Sequence, residues 1–224
     1  RPWNDIIERE LRALWGNAFA ANLLGIFYHD TPNWEFARYQ YRTICAELYE
    51  KNWSIAVKNY CRQNNLLMAG HLPGEESLSC HAQFLGNAWK TLSHFDFPGY
   101  DIISSTIPDD MDRSHATGAK LVQSIAWVEG KKPLMAEAFG ANGFHQDLQR
   151  LRTVLAWLAV HDMYHIFNHA TFSDPRGLVK YDAPPIHNQY DPMSHGMRDL
   201  WDWHNWFCDL MEQYQFIPAT LILF

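Results

Sequence analysis

Four short, almost continuously apolar runs, Leu66-Leu-Met-Ala-Gly70, Tyr100 to Ser105, Leu134-Met-Ala-Glu137 and Met163 to Asn168, recur along the chain with helical patterns between them. Strands that read as unbroken apolar runs are buried on both faces, and strands spaced by helices pair in parallel, so the pattern predicts an α/β protein with its helices outside a parallel sheet. The intervening helices are predicted over residues 34–64, 75–92, 115–128, 144–160 and 197–213. The fourth of these carries Leu148, Leu151, Leu155 and Leu158 as an apolar stripe. Residues 23–28 form one more short apolar run ahead of a turn through Asp30, Pro32 and Asn33. Between Phe172 and His195 stands a loop with four prolines, long enough to predict function rather than mere connection. None of the strands is followed by GxGxxG or GxxxxGK[ST], which leaves nucleotide folds without their phosphate cradle and favours a (β/α)8 barrel over an open doubly wound sheet.

Composition narrows the class. The chain has 224 residues, 47% hydrophobic and 19% charged, enough to bury a core. A formal net charge of -7 and no basic block longer than Lys131-Lys132 predict no nucleic-acid partner, because there is little to neutralise phosphates. No run approaches the roughly 20 apolar residues of a membrane span, so no membrane partner is expected. Ten Trp, ten Tyr and twelve His suit a cleft that holds a polar, ring-shaped ligand. Cys45, Cys61, Cys80 and Cys208 have no CxxC spacing and read as free thiols in packing positions. Opening on Arg1 and closing on the apolar run Ala219–Phe224, the chain is expected to be a segment of a larger polypeptide. Residues 1–215 are then a partial barrel domain, 216–224 begin a following strand or domain, and the rest of the same polypeptide is its partner on both sides.

Polar residues gather at the C-terminal ends of the predicted strands: His71 after the first, Glu137 at the third, Asn168 and His169 at the fourth. In a barrel this is the active-site rim. Glu137 is the costliest of them, a carboxylate in an apolar run that needs a partner or a catalytic use. Glu75 and Glu76 follow Gly70-His-Leu-Pro-Gly74. One could stabilise the first turn of a helix; Glu76 is the one expected to face the site. Asp101 ends a turn, Phe95-Asp-Phe-Pro-Gly-Tyr-Asp101, in which Asp96 also stands; a turn-stabilising role and a ligand role are both open for each. His161, His165 and His169 are spaced by four, as metal ligands would be on a helix, but in a strand successive members stand about 13 Å apart, which excludes a shared ion. No metal and no cofactor is therefore expected; His169 is expected to bind ligand and His165 to be packed. The cluster Trp201, Trp203, Trp206 and Phe207 is expected to pack the last helix onto the body.

The ordered motifs Tyr41-Arg42 through Trp53 to Cys61, Gly70-His-Leu-Pro-Gly-Glu-Glu-Ser-Leu78, Phe95 to Asp101 and Ala136-Glu-Ala-Phe-Gly140 resemble the barrel domain of large microbial glycoside hydrolases, the alpha-L-rhamnosidases and the beta-galactosidase-like proteins related to them. The resemblance implies the second half of a (β/α)8 TIM-type barrel, strands five to eight. It places Glu137 on strand seven, matching a glutamate that acts as catalytic base or nucleophile, and matches His169 to the histidine ending strand eight. It also implies a general acid from strand four, upstream of Arg1. On this reading a plant or microbial carbohydrate is the substrate. Glu137 and Glu76 are the catalytic candidates, with His71, Glu75, Asp101, Asn168 and His169 binding substrate. A metal-dependent hydrolase using the histidines and a non-catalytic carbohydrate-binding fragment remain as alternatives.

Overall fold

The computed structural model describes residues 2–103, 113–144, 146–172, 174, 176–178, 187–214 and 217, with 113–116 described by their backbone only. The apolar run expected over 219–224 lies outside them. The chain divides into two compact units, residues 1–100 with 113–131, and residues 101–112 with 132–224.

Unit one opens with α1 (Asp5–Trp15), whose first turn is closed by the Asn4 side chain accepting from the Ile7 N–H at 2.9 Å. Ile7, Leu11 and Trp15, one face at a spacing of four, are buried with Phe19, Ile26, Ala37 and Tyr41 in a single cluster. Residues 23–27 of the run expected over 23–28 are helical: they belong to α2 (Phe19–Phe27), which Tyr28 ends in extended conformation. A Cβ on Gly25 would lie 3.0 Å from the Trp34 Cα and 3.1 Å from the Ala37 Cβ, so the missing side chain lets α2 approach α3 (Trp34–Tyr49). The long helix expected over 34–64 exists, but a π-helical turn, Glu50–Ser54, separates α3 from α4 (Ile55–Gln63).

The first strand is shorter than expected. β1 is only Ala69–Gly70, and Leu66 and Leu67 are exposed. β2 (Phe97–Ile102) begins three residues ahead of the prediction, because Pro98-Gly99, read as a turn, stands in the ladder. Pro98 lies opposite Gly70 in parallel register, just after the Asp96 and Phe97 N–H groups donate to the Met68 carbonyl, so its missing donor falls at the start of the strand. Asp96 takes the structural role open to it: it accepts from the Met68 N–H at 2.8 Å and pairs with Lys58. Burial pushes its carboxyl upward, but Lys58 and the Met68 N–H outweigh this and leave it below its ordinary range. The helix expected over 75–92 is broken into α5 (Leu78–Phe84) and α6 (Ala88–Leu92) at Gly86, φ 79°, where a Cβ would meet the Arg42 carbonyl and the Ala46 Cβ at 2.8 Å. α7 (Arg113–Val128) completes the unit.

Unit two holds β3 (Leu134–Ala138), α8 (Leu148–Val160), β4 (Met163–Asn168) and α9 (Ser194–Glu212), close to the predicted bounds. Asp147 caps α8, accepting from the Arg150 N–H at 2.7 Å, and Leu151, Val154, Leu155, Leu158 and Ala159 are buried. α9 buries Leu200, His204 and Cys208, again a spacing of four, while Arg152 of α8 lies 4.3 Å over the Trp203 ring. Trp203 also stacks on Phe207 of the same helix at 5.3 Å, and Trp206 is exposed. All four cysteines are free thiols, and burial pushes Cys208 up to about 12, which keeps it a packing group.

β2 passes from one unit to the other after Tyr100, and the hydrogen-bonded strand order is β1-β2-β3-β4. Parallel strands in sequence order, alternating with helices, are the winding of a barrel rather than of a sheet with a switch point. Among the described residues there are four strands, so an α/β partial-barrel arrangement is observed and the full eight-stranded barrel is not. No helix among the described residues is long and apolar enough to cross a membrane.

Candidate active site

β3 and β4 run in parallel with Met135 opposite His165, Glu137 opposite Phe167 and Ala138 opposite Asn168. Partners in a parallel ladder share a face and neighbours alternate, so Met135, Glu137, His165 and Phe167 stand on one side. On the other side Leu134, Ala136 and Ala138 are fully buried. Glu137 is half-buried, with His165 and Phe167 exposed beside it. The carboxylate of this apolar run therefore stands on the open face, one position from the end of its strand. His165, expected to be packed, is exposed on that same face.

Asp101, at the β2 end, is buried, and its carboxylate oxygen lies within 4.8 Å of that of Glu137. When ionised, both are acceptors only, so a group able to bridge them is one that donates two hydrogens, or a cation.

Behind Glu137 the backbone is unusual. Phe139 (φ 77°) and Ala141 (φ 56°) are non-glycine residues in the left-handed region, a conformation that costs energy and collects at functional sites. Phe139 is held by its surroundings: it is fully buried, with its ring edge-on to His187 at 5.6 Å and 6.5 Å from Trp201. At Gly140 a Cβ would lie 3.3 to 3.6 Å from the His169 ring, so the imidazole rests on the strand's continuation, and the His169 N–H donates to the Ala138 carbonyl at 2.9 Å.

Two residues that sequence reasoning missed complete this end of unit two. His187 is buried with neither ring nitrogen hydrogen-bonded among the described residues, and its Nδ1 is 3.6 Å from the buried Asp191 carboxylate. Burial lowers the His187 pKa; Asp191 opposes this and His169 adds to it, so the ring is neutral at pH 7. Asn168 Oδ1, His169 Nδ1 and Asp191 Oδ2 are likewise buried and, among the described residues, without a hydrogen-bond partner. Buried polar atoms are normally paired, and such a set is what ligand hydroxyls or water can satisfy. His187 reaches this place through a clasp: its N–H donates to the Ala170 carbonyl (3.1 Å), Thr171 Oγ1 donates to the His187 carbonyl (2.9 Å), and Asn188 Nδ2 donates to the Phe172 carbonyl (2.9 Å). The only sequence signal was a histidine closing the proline-rich stretch.

His71, Glu75 and Glu76 belong to unit one. Glu75, not Glu76, is the buried one: its Oε2 accepts from the Leu72 N–H at 3.0 Å and its Oε1 is 3.3 Å from His71 Nδ1. Neither glutamate sits in the first turn of a helix, the capping role considered for one of them. α5 starts at Leu78, and Ser77 caps it by accepting from the Cys80 N–H at 3.2 Å. Glu76 is half-buried in the preceding turn. The histidine series is not a metal site: His161 closes α8 with Nδ1 2.8 Å from the Trp157 carbonyl and its ring 4.1 Å from that of Trp157, before β4 begins. His161, His165 and His169 form no cluster within ligand reach.

No protein-family model and no curated protein matches the chain. Among solved structures, the rhamnosidase from Novosphingobium sp. PP1Y is similar in fold, with a TM-score of 0.67 at 15% identity over 94% of this chain. The chain spans 20% of the length of that protein.

Proposed function

We propose that the chain forms part of an O-glycosyl hydrolase and that Glu137 is its catalytic base or nucleophile. The observation that carries this reading is the Asp101–Glu137 carboxylate pair at the ends of two parallel strands, one buried and one half-buried, within 4.8 Å of each other. The fold it shares with a rhamnosidase supports the same class. An inverting glycosidase separates its acid and base by about 6.5 to 9.5 Å to admit a water. Asp101 is too close to Glu137 for that part, so we assign it to hold sugar hydroxyls, together with Asn168 and His169. Glu76, half-buried and with no hydrogen bond or ion pair among the described residues, is the proposed second catalytic carboxylate; His71 and Glu75 are proposed to bind substrate.

The test is turnover of a panel of aryl glycosides, aryl alpha-L-rhamnoside among them, by the purified protein and by Glu137→Gln, Glu76→Gln and Asp101→Asn. Glu137→Gln is expected to lower kcat by about a thousandfold or more with an unchanged melting temperature, and Asp101→Asn to act mainly through KM. Near-normal turnover by Glu137→Gln removes it from the mechanism, and a wild type that hydrolyses no member of the panel overturns the reading.

A further inference from the structure

Unit one carries a groove of about 570 Å³ between α3 and the residues around the α5–α6 break. We propose that it is a separate binding site for a saccharide that bears a carboxylate, with Arg42 as the group that grips the carboxylate. The saccharide half of this statement rests on the glycosidase reading above; the anionic half rests on the groove.

The charge of the lining runs against that of the whole chain. Although the protein carries a formal charge of -7, Arg38, Arg42 and Lys90 face Glu35 alone among the acidic residues of the groove wall. These cations are not equivalent. Arg38 is fixed on the inner wall, its Nε donating to the Gly25 and Ile26 carbonyls at 3.2 and 3.1 Å and its guanidinium 4.9 Å over the Trp34 ring. Lys90 has Glu50 at 3.6 Å and Glu47 at 3.9 Å, which offset its charge. Arg42 is half-buried and, among the described residues, makes no hydrogen bond or ion pair, whereas the more exposed Arg9 and Arg12 of the same unit pair with Glu10 and Glu8. An unpaired guanidinium held in a groove presents a planar fork matched to a carboxylate.

The polar neighbours are already committed. Thr43 Oγ1 donates to the Tyr39 carbonyl, and Asn87 Oδ1 accepts from the Lys90 N–H. Arg42 thus carries the recognition, and Tyr39, exposed at the rim, offers a ring face to a sugar. Size argues against a lone inorganic anion, since about 570 Å³ falls within the 300–1,000 Å³ typical of clefts for larger ligands.

The experiment is calorimetric binding, at low salt, of trigalacturonate, its methyl ester and inorganic phosphate to the wild type and to Arg42→Gln, Arg42→Lys, Lys90→Gln and Glu137→Gln. Trigalacturonate is expected to bind about tenfold or more tighter than the ester, and Arg42→Gln to abolish that preference. Arg42→Lys should recover only part of it, because a point charge replaces the fork. Lys90→Gln should weaken it modestly, and Glu137→Gln should leave it unchanged. Equal binding of acid and ester, an unaffected Arg42→Gln, loss of binding in Glu137→Gln, or displacement by an equal concentration of phosphate would each overturn the proposal. Unaltered melting of Arg42→Gln is the folding control. A wild type that binds trigalacturonate in this way yet hydrolyses no glycoside overturns the glycosidase reading while leaving the groove in place.

Discussion

Gly118, in the first half of α7, is the position at which a single methyl group should do most damage in unit one. A Cβ built there would lie 2.4 Å from the Glu75 carbonyl oxygen and 2.4 Å from the Tyr100 ring. Two effects oppose each other in Gly118→Ala. Replacing glycine by alanine inside a helix stabilises by about 0.8–1 kcal/mol. Against this, ordinary contact begins near 3.4 Å, so two neighbours must each move by about 1 Å, and neither can do so cheaply. Tyr100 is fully buried, and the other atom is backbone in the turn that Glu75 itself ties down through the Leu72 N–H. Overpacking of this kind costs about 1–3 kcal/mol in ordinary cores, and rigid neighbours put this site at or above the upper end. The expected net loss is about 2 kcal/mol or somewhat more, or roughly 4–8 °C in melting temperature for a chain of this size. Gly196→Ala in α9 is the comparison. There the nearest atom, at 2.2 Å, is the Leu148 Cδ1, the far end of a side chain that can rotate away, so helix propensity should win and stability should hold or rise. Thermal and urea unfolding of both variants decide the matter. A Gly118→Ala protein as stable as the wild type would refute the reasoning that α7 is seated directly on Tyr100 and the Glu75 turn.

Three further outcomes are expected. Asp147→Ala should cost about 1 kcal/mol by removing the α8 cap, read as a lower urea midpoint with an unchanged slope. His187 and His204 are both pulled below the ordinary histidine range, chiefly by burial, so the stability they contribute as neutral rings is present above about pH 6.5 and is lost as pH falls through their lowered values. Melting temperature should drop as pH falls below about 6.5, and the double variant His187→Gln/His204→Gln should flatten that slope; an equally steep profile in the double variant would assign it elsewhere. Gly86→Ala should cost about 1–3 kcal/mol, since φ 79° is unfavourable for alanine and the Arg42 carbonyl and Ala46 Cβ leave no room; circular dichroism during thermal melting checks this.

What could be read from the sequence follows a physical line. β3 and β4 were legible because both are short apolar runs closed by turns, and α8 because its leucines repeat at helical spacing. α2 was not, since Leu23-Leu-Gly-Ile-Phe is apolar all round and periodicity cannot separate a buried helix from a strand at that length. β2 was displaced because Pro98-Gly99 is turn chemistry that tertiary pairing overrides. At the site, Glu137 was legible from its cost alone, as one charge in an apolar run. The choice between Glu75 and Glu76 was not, because it depends on the path of a turn that a neighbouring N–H and His71 define. His187 and Asp191 were invisible for a related reason: the meeting of His187 with Phe139 depends on where the chain returns after the proline-rich loop, which no local pattern encodes.

The clasp between residues 170–172 and 187–188 has a consequence for how a protein of this kind can change over generations. Three hydrogen bonds fix both ends of the intervening stretch beside the β4 terminus, so His169 and His187 keep their places whatever the length of chain between them. Closing a longer loop on a fixed base costs only about 0.6 kcal/mol for each doubling of its length. Insertions and deletions between Phe172 and His187 are therefore nearly neutral for stability, while the Glu137 end of the strand pair stays constant. This is the position at which a lineage, or a library, can vary the chain beside the strand pair without rebuilding the candidate residues at its end.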